Sequence, residues 1–376
     1  MLVLLAAVVT GAVAQTTYKV SVKEGTDDAT SWQGKAGTGD YQDLPLEGVA
    51  AGTAVTVKYN GTKKVKSVKA KKAAPAGPTL NLATVTEATT VGNGYTVTGA
   101  LGANVQISIA EGATVTLDGV TINGENDGDW AGITCEGDAT IILSGTNTVK
   151  GFSEDYPGIY VPENKTVTIQ GSGSLTASSN GYGCGIGGGY EIACGNIVIA
   201  GGTITATGGG DAAGIGIGLM GSCGTISITG GTVTATGGQY GAGIGSGTAG
   251  SCGTSSITGG TITATGGESA PGIGGGYGGQ CGDISITGGT INANGGESAA
   301  GIGSGNSGSC GDITITNGVT SVTATKGEGA DYSIGASNYG SCGTVTIGCT
   351  LDGGGNPVGG TTGQISTSPY TYQPSN

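Results

Sequence analysis

Residues 226–254 read ISITGGTVTATGGQYGAGIGSGTAGSCGT, and this stretch decides the fold. It holds three short segments in which apolar and small polar residues alternate, separated by glycine turns. The unit recurs in a constant 29-residue step, as marked by a cysteine column at Cys194, Cys223, Cys252, Cys281 and Cys310. The next step, to Cys342, is longer by three, which predicts three residues inserted in one loop. A period this regular is typical of a solenoid.

The pattern predicts an all-β fold, a right-handed parallel β-helix with three short strands per 29-residue rung. A unit without a helical period can bury its apolar face only by coiling around it, so that equivalent positions stack along one axis. Alternation places Val233 and Ala235 inside the coil, and Ile244 fills another corner. Equivalent residues of neighbouring units should form columns. We expect the helix to span residues 80–376, including a C-terminal cap.

The residues before the helix have a different composition. Residues 1–14 are apolar and end in Ala-Val-Ala, which predicts a signal peptide and a secreted or cell-surface protein. Residues 15–72 contain strand-like runs such as Thr17–Val22 and Ala54–Tyr59, which predict a small N-terminal β domain. Residues 73–79 contain two prolines and predict a linker.

Charge and composition argue against two classes of partner, nucleic acids and the membrane interior. All 13 basic residues are lysines, ten of which lie at or before Lys72, and the rest of the chain carries three lysines and 20 acids. Such an acidic body repels nucleic acid, so no nucleic-acid partner is expected. No stretch after residue 14 approaches the roughly 18 apolar residues of a membrane helix, so no membrane insertion is expected. An acidic surface of this kind favours cations or uncharged sugars as ligands over nucleic acid.

The recurring Ala-Gly-Ile-Gly-Ser-Gly, followed by Ser-Cys-Gly-Thr-Ile-Ser-Ile-Thr-Gly-Gly-Thr-Val-Thr-Ala-Thr-Gly-Gly, resembles a known group of proteins. These are bacterial cell-surface proteins described as carbohydrate-binding, with a pectate-lyase-like right-handed parallel β-helix. The similarity is best over residues 184–344 and extends back to about residue 100. The resemblance implies an extracellular, non-catalytic polysaccharide binder that uses calcium.

Catalysis is not expected. Pectate-lyase-type enzymes, which the fold resembles, use calcium with an Arg or Lys base, and this chain has no Arg. Without His, His-dependent triads and imidazole metal sites are impossible. A polysaccharide lyase or hydrolase remains a third hypothesis, after the polysaccharide binder and a passive adhesin or surface-structural rod.

Two acidic pairs recur one period apart and are the candidate calcium ligands. They are Glu268 with Glu297, in the Gly-Gly-Glu-Ser-Ala turn, and Asp283 with Asp312. Like charges one rung apart repel unless a cation lies between them. The alternative is that these are solvated loop acids that keep the rod soluble.

Candidate sugar-stacking aromatic residues recur before the column cysteine. Tyr190 and Tyr277 each lie four residues before it, Tyr339 is offset by one place, and Trp130 follows Asp129 in an earlier rung. Exposed rings can stack on sugar faces, and the alternative is loop packing between rungs.

The cysteine column has two interpretations. Its six members, including Cys342, can be stacked thiols or rung-to-rung disulfides. We favour stacked thiols, because direct stacking leaves the Cβ atoms slightly too far apart for a disulfide.

Overall fold

The structure is a computed structural model, and it describes residues 77–125 and 128–374 together with the backbone of the strands between residues 2 and 72. The chain divides into two compact units, Met1–Gly77 and Pro78–Asn376. The boundary lies within the segment that the sequence assigns to a linker. Within the described residues, no helix is long and apolar enough to cross a membrane.

The N-terminal unit contains eight described strands in two antiparallel sheets. The first sheet consists of Leu2–Leu5, Ala54–Tyr59, Trp32–Ala36 and Gln42–Asp43. The second consists of Asp27–Asp28, Thr17–Glu24, Leu46–Ala50 and Ser67–Lys72. Of the predicted signal peptide, only Leu2–Leu5 lies within the described residues.

The second unit is a right-handed parallel β-solenoid of about eight turns, as predicted. Each rung contributes strands to three faces. The first face holds Thr89–Val91, Ile107–Ile109, Ile133–Cys135, Ile159–Tyr160, Ile186–Gly187, Ile215–Gly216, Ile244–Gly245, Ile273–Gly275, Ile302–Ser304 and Ile334–Gly335. The second face holds Ala139–Ser144, Thr166–Gly171, Asn196–Ile199, Ile226–Ile228, Ser255–Ile257, Ile284–Ile286, Ile313–Thr316 and Val345–Leu351. The third face holds Thr146–Lys150, Ser174–Ser178, Thr203–Thr207, Thr232–Thr236, Thr261–Thr265, Thr290–Asn294 and Ser321–Thr325. Thr96–Ala100 and Ala113–Asn123 run across the second and third faces, and Thr79–Asn81 stacks on the second-face part of Thr96–Ala100.

Equivalent residues stack in register through the rungs, which confirms the predicted core columns. Ile244 pairs with Ile273 on the first face, and Ala235 pairs with Ala264 on the third. These side chains are fully buried. Burying one isoleucine stabilises the fold by roughly 1.5–3 kcal/mol, so a column of them offsets the entropy of ordering many glycines.

The Gly-Ile-Gly segment of each rung has a steric explanation. Gly245 adopts φ +135°, and a Cβ at this position would overlap the carbonyl oxygen of Gly274 in the next rung. Only glycine accommodates both this backbone conformation and this approach. The segment therefore lets successive first-face strands stack closely.

The structure adds a short strand that the three-strand prediction omitted. From Ser222 onward, each rung pairs a two-residue segment through the cysteine column, forming a five-stranded parallel sheet. Its strands are Ser222–Cys223, Ser251–Cys252, Gln280–Cys281, Ser309–Cys310 and Ser341–Cys342. Two residues give no detectable alternation, so the sequence pattern does not reveal them.

The prediction that one loop holds all three inserted residues is wrong. Second-face pairing keeps the 29-residue step, with Ile284 opposite Ile313. Third-face pairing sets Thr290 opposite Ser321, which is two residues beyond that step, and first-face pairing sets Ile302 opposite Ile334, which is three residues beyond it. The extra residues are therefore divided between two turns of that rung, and the three faces stay in register.

Both ends of the solenoid are closed. The strand Thr79–Asn81 and the 3-10 turn Leu82–Thr84 close the first end, with Leu82 fully buried. At the other end, Pro357–Val358, Thr361–Thr362 and Tyr370–Tyr372 pair antiparallel with the last rungs. This cap ends the parallel ladder and covers strand edges that could otherwise pair with another chain.

Candidate functional site

Two loops of each rung meet along one corner of the solenoid, and we call this corner the loop ridge. The first is the turn that precedes the first-face strand, and the second is the loop that follows that strand. The backbone N–H of Tyr277 donates to the carbonyl of Tyr240 at 3.1 Å, and that of Thr248 donates to Asp211 at 2.8 Å. The loop of one rung is thus tied to the turn of the previous rung. The ridge has a fixed backbone.

Tyrosine rings meet in two places on the ridge. The rings of Tyr182 and Tyr190 have centroids 5.9 Å apart at 51°, and those of Tyr240 and Tyr277 are 5.6 Å apart at 49°. Tyr182 and Tyr240 occupy the same turn position two periods apart. The first pair joins the turn and the loop of one rung, whereas the second joins the turn of one rung to the loop of the next, so the ridge carries two tilted pairs that are built differently. Sequence reasoning missed Tyr240, although this two-period spacing from Tyr182 could have revealed it.

The ridge also exposes apolar surface. Tyr182, Met220, Tyr277 and Tyr339 are 38%, 51%, 42% and 91% exposed. The other exposed large apolar side chains among the described residues are Leu351 and Val358 near the C-terminal cap. A row of exposed apolar groups on one corner is typical of a binding surface.

One position of the ridge loop is left-handed in successive rungs, and this explains the offset of Tyr339. The non-glycine residues at this position are Glu191, Met220, Ala249, Ser307 and Tyr339, with φ between 49° and 58°, and Gly278 occupies it once. Tyr339 is therefore equivalent to Ser307 of the preceding rung. Its position in the loop is one residue later than that of Tyr190 and Tyr277. A left-handed tyrosine is uncommon and costs roughly 1–2 kcal/mol.

Trp130 lies apart from the tyrosine pairs, in an earlier rung. Its ring is 5.7 Å from that of Phe152 at 44°, and it packs against the main core. Its Nε1 is buried, with no hydrogen-bond partner among the described residues. The structure therefore does not bring Trp130 together with Tyr190, Tyr277 and Tyr339.

The two predicted acidic pairs lie at different corners of the rung. Glu268 and Glu297 belong to the ridge turn, whose stacking is held by a bond from the N–H of Ser298 to the carbonyl of Glu268 at 3.0 Å. Glu268 Oε2 accepts a hydrogen bond from Gln239 Nε2 at 2.9 Å. Glu328 follows Gly327, which stacks on Gly296, so it extends this acidic column by one rung. Sequence reasoning missed Glu328 because the inserted residues shift its spacing.

Asp283 and Asp312 lie where the cysteine strand turns into the second face, and each hydrogen-bonds to the next rung. Asp283 Oδ1 accepts from the N–H of Asp312 at 2.8 Å, and Asp312 Oδ1 accepts from the N–H of Thr344 at 2.6 Å. Asn196 Oδ1 accepts from Thr225 N–H in the same way at 2.9 Å. The recurring acid is therefore a backbone cap between rungs.

The two aspartates also line a groove of about 410 Å³ beside the C-terminal cap, together with residues such as Thr344 and Asn356. Across the described part of the chain, no group of three or more His, Cys, Asp or Glu side chains is placed to hold a metal ion. Calcium binding stays a prediction.

Four of the six column cysteines form disulfides, so the prediction of stacked thiols is wrong for them. Cys194 pairs with Cys223 and Cys310 with Cys342, at Cα–Cα distances of 4.4 and 4.6 Å. These distances are shorter than the ~4.8 Å of ideal strand spacing, which brings the side chains within bonding reach. Cys252 and Cys281, between the two disulfides, are thiols.

Comparison with known families agrees with this architecture. Five stretches match the family model described as beta helix repeat: residues 167–190, 197–216, 226–248, 256–277 and 284–306. No curated protein and no solved structure gives a significant match. The matched stretches and the stacked rungs identify the chain as a parallel β-helix protein.

Proposed function

We propose that this protein is a secreted or cell-surface, non-catalytic β-helix that binds polysaccharide along the loop ridge. The observation that carries the proposal is that two tilted, partly exposed tyrosine pairs lie on one corner, with Tyr182 and Tyr240 at the same turn position two rungs apart. A single exposed ring is common on protein surfaces, whereas two aromatic pairs whose turn tyrosines keep a two-rung spacing suit a ligand that is itself periodic.

The spacing of the pairs suits an extended sugar chain. Two rungs separate Tyr182 from Tyr240 by about 10 Å along the axis. This is close to the disaccharide repeat of an extended β-1,4-linked glycan. Tyrosine rings present an apolar face to the C–H groups of a pyranose and a hydroxyl to its polar edge.

Polar groups lie between the two turn tyrosines, with Asp211 in the intervening rung and Thr248 in the loop of the rung that carries Tyr240. Asp211 Oδ1 accepts a hydrogen bond from the Thr248 hydroxyl at 2.7 Å, and both residues belong to ridge loops. Sites for small polar ligands commonly combine apolar faces with a few placed polar groups. The Asp211–Thr248 pair can hydrogen-bond to sugar hydroxyls between the two aromatic contacts. These bonds would fix the orientation of the sugars that stack on the tyrosine rings.

The test is binding to a panel of neutral and acidic polysaccharides by affinity electrophoresis and calorimetry. Replacing Tyr240 and Tyr277 together by Ala should weaken binding at least tenfold, because each lost stacking contact removes part of an already weak interaction. Val358→Ala is the matched control, since Val358 is also apolar and exposed but lies in the cap. Equal binding by parent and double variant would overturn the assignment of the ridge.

Calcium is the proposed cofactor for acidic glycans, held by the Glu268–Glu297 column. Oxygen-rich carboxylate sites suit calcium, and a bound ion would stabilise the folded state by mass action. Replacing Glu268 and Glu297 together by Gln should abolish a calcium-induced rise in melting temperature. Asp283→Asn is the control, because its amide oxygen can still cap the next rung. A calorimetric titration without heat at millimolar calcium would contradict this part of the proposal.

The non-catalytic part of the proposal has its own test. Prolonged incubation with each bound polysaccharide should release no oligosaccharide and no unsaturated product. Release of product would favour the lyase or hydrolase hypothesis instead. A folded protein that binds nothing in the panel would favour the passive rod.

A further inference from the structure

The cysteine column has two thiols between two disulfides. Cys252 and Cys281 face each other in neighbouring two-residue strands, in the same parallel register that pairs Cys223 with Cys252 and Cys281 with Cys310. Their sequence separation equals that of Cys194 and Cys223, which form a disulfide. The backbone register of Cys252 and Cys281 is therefore the same as that of the disulfide-bonded pairs in the column.

The two thiols are chemically unequal. The hydrogen bond to Cys281, together with burial, raises the pKa of Cys252 well above its ordinary value. The hydrogen bond from Cys252 lowers the pKa of Cys281, although burial opposes it, and the nearby Ser255 hydroxyl, 3.7 Å from Cys281 Sγ, acts in the same direction. A thiol that ionises more easily is the better nucleophile toward a disulfide.

The other three free cysteines differ in neighbours and access. Cys135 lies opposite Ile109 and Cys349 lies opposite Thr316 in the strand register, and Cys184 packs with Ala212 and Ala213. Burial raises the pKa of Cys135 to about 12 and also raises that of Cys184. Cys252 and Cys281 are 4% and 5% exposed, whereas Cys135, Cys184 and Cys349 are at most 1% exposed.

We propose that Cys252 and Cys281 form a redox-active dithiol that a disulfide oxidant, either a small-molecule disulfide or a thiol–disulfide oxidoreductase, converts into a third rung-to-rung disulfide. The Cys281 thiolate attacks one sulfur of the oxidant, breaks its S–S bond and releases one thiolate. Cys252 then loses its proton and attacks the Cys281 sulfur, which forms the new S–S bond and displaces the second thiolate. The pair loses two electrons and two protons, and the oxidant becomes two thiols.

Completion of the column would give three consecutive disulfides that tie six rungs together in pairs. Each cross-link restricts the unfolded chain, so the closed form should unfold at higher temperature than the dithiol form. The reaction is reversible by excess thiol. The site is therefore a modification site that responds to the redox state of its surroundings.

The experiment is thiol counting after exposure of the folded full-length protein to oxidised glutathione, with acid quenching before denaturation and alkylation. The five alkylated cysteines of the untreated protein should fall to three, at Cys135, Cys184 and Cys349. Peptide mapping should find one new disulfide, joining the peptides of Cys252 and Cys281. Retention of all five thiols, or glutathione held at Cys281 without closure, would overturn the proposal.

Two variants serve as controls. Cys135→Ser removes a thiol with no cysteine opposite it, so the protein should still lose a pair of thiols and form the same link. Cys252→Ser should form no link at position 252. If Cys135→Ser prevented the loss, or if the parent lost thiols without the Cys252–Cys281 link, the assignment of this pair would be wrong.

Discussion

Tyr339 combines a left-handed backbone conformation with a side chain that is almost fully exposed to solvent. It is left-handed at φ 58° and is 91% exposed, so it carries a backbone cost without compensating burial. Tyr339→Gly should therefore stabilise the protein by about 0.5–1 kcal/mol, the left-handed penalty less the extra entropy of an unfolded glycine. Denaturant unfolding measures this change.

The reciprocal variant tests the same reasoning at the equivalent position. Gly278 is left-handed at φ 59°, and a Cβ there would meet no atom within 4 Å. Gly278→Ala should cost about 1 kcal/mol through backbone conformation alone. If Tyr339→Gly destabilised the protein while leaving polysaccharide binding intact, the side chain would have a structural role and not a binding role.

The spacing of the repeat predicts the structural role of some residues and not of others. Ile244 and Ala235 were predicted to be buried because repetition and alternation together place them. The sequence gives only a weak sign of Tyr240, because tyrosine recurs at its turn position only two repeats away, at Tyr182. The sequence does not show which column cysteines form disulfides, because all six recur at equivalent positions of the repeat.

At the scale of the strand, the corner between the cysteine strand and the second face depends on a side-chain cap. Asp283 Oδ1 accepts the N–H of Asp312, so Asp283→Ala should lose one hydrogen bond and cost about 1 kcal/mol. Asp283→Asn should cost much less, because Asn196 makes the same bond to Thr225. Urea unfolding of both variants separates hydrogen bonding from charge.

An equal loss in the two Asp283 variants would show that the negative charge itself is needed at this corner. That result would favour a bound cation in the adjacent groove over the backbone-capping role. The three main strands of each rung followed from alternation and glycine turns, whereas this cap and the two-residue cysteine strand did not. Both depend on contacts between rungs, and a single repeat read alone carries no sign of them.

For the whole solenoid, stacking predicts that rungs are interchangeable modules. Deleting residues 284–312 joins Asp283 to Ile313, and the register of Ile284 with Ile313 shows that this removes one whole rung. The shortened protein should retain the β-rich circular dichroism spectrum and a cooperative melting transition. Deleting only residues 284–298 should abolish the transition, because it moves a turn onto a strand column.

The fold of the solenoid could be predicted because 29-residue periodicity constrains topology, register and core together. The candidate site could be predicted only in part. Tyr190 and Tyr277 were identified by their distance from the cysteine column, but the pairing of each with a second ring depends on how two separate loops meet in space. The calcium assignment depends on pairs of acids, and no third His, Cys, Asp or Glu ligand among the described residues completes a metal site around either pair.

The central claim is that polysaccharide binding depends on the two-rung spacing of Tyr182 and Tyr240, the turn tyrosines of the two pairs, and calorimetry with a neutral polysaccharide on two deletions tests it most directly. Deletion of residues 197–225 removes one rung, places Tyr182 and Tyr240 one rung apart and also removes Asp211, whose own contribution is measured with Asp211→Ala in the full-length protein. Deletion of residues 284–312 leaves the spacing of the two tyrosines unchanged. Each deletion removes one partner of a disulfide, Cys223 or Cys310. We predict that both proteins fold, that the 284–312 deletion binds the neutral polysaccharide like the parent, and that the 197–225 deletion binds at least tenfold more weakly than the Asp211→Ala variant. Parent-like binding by a folded 197–225 deletion would contradict the claim.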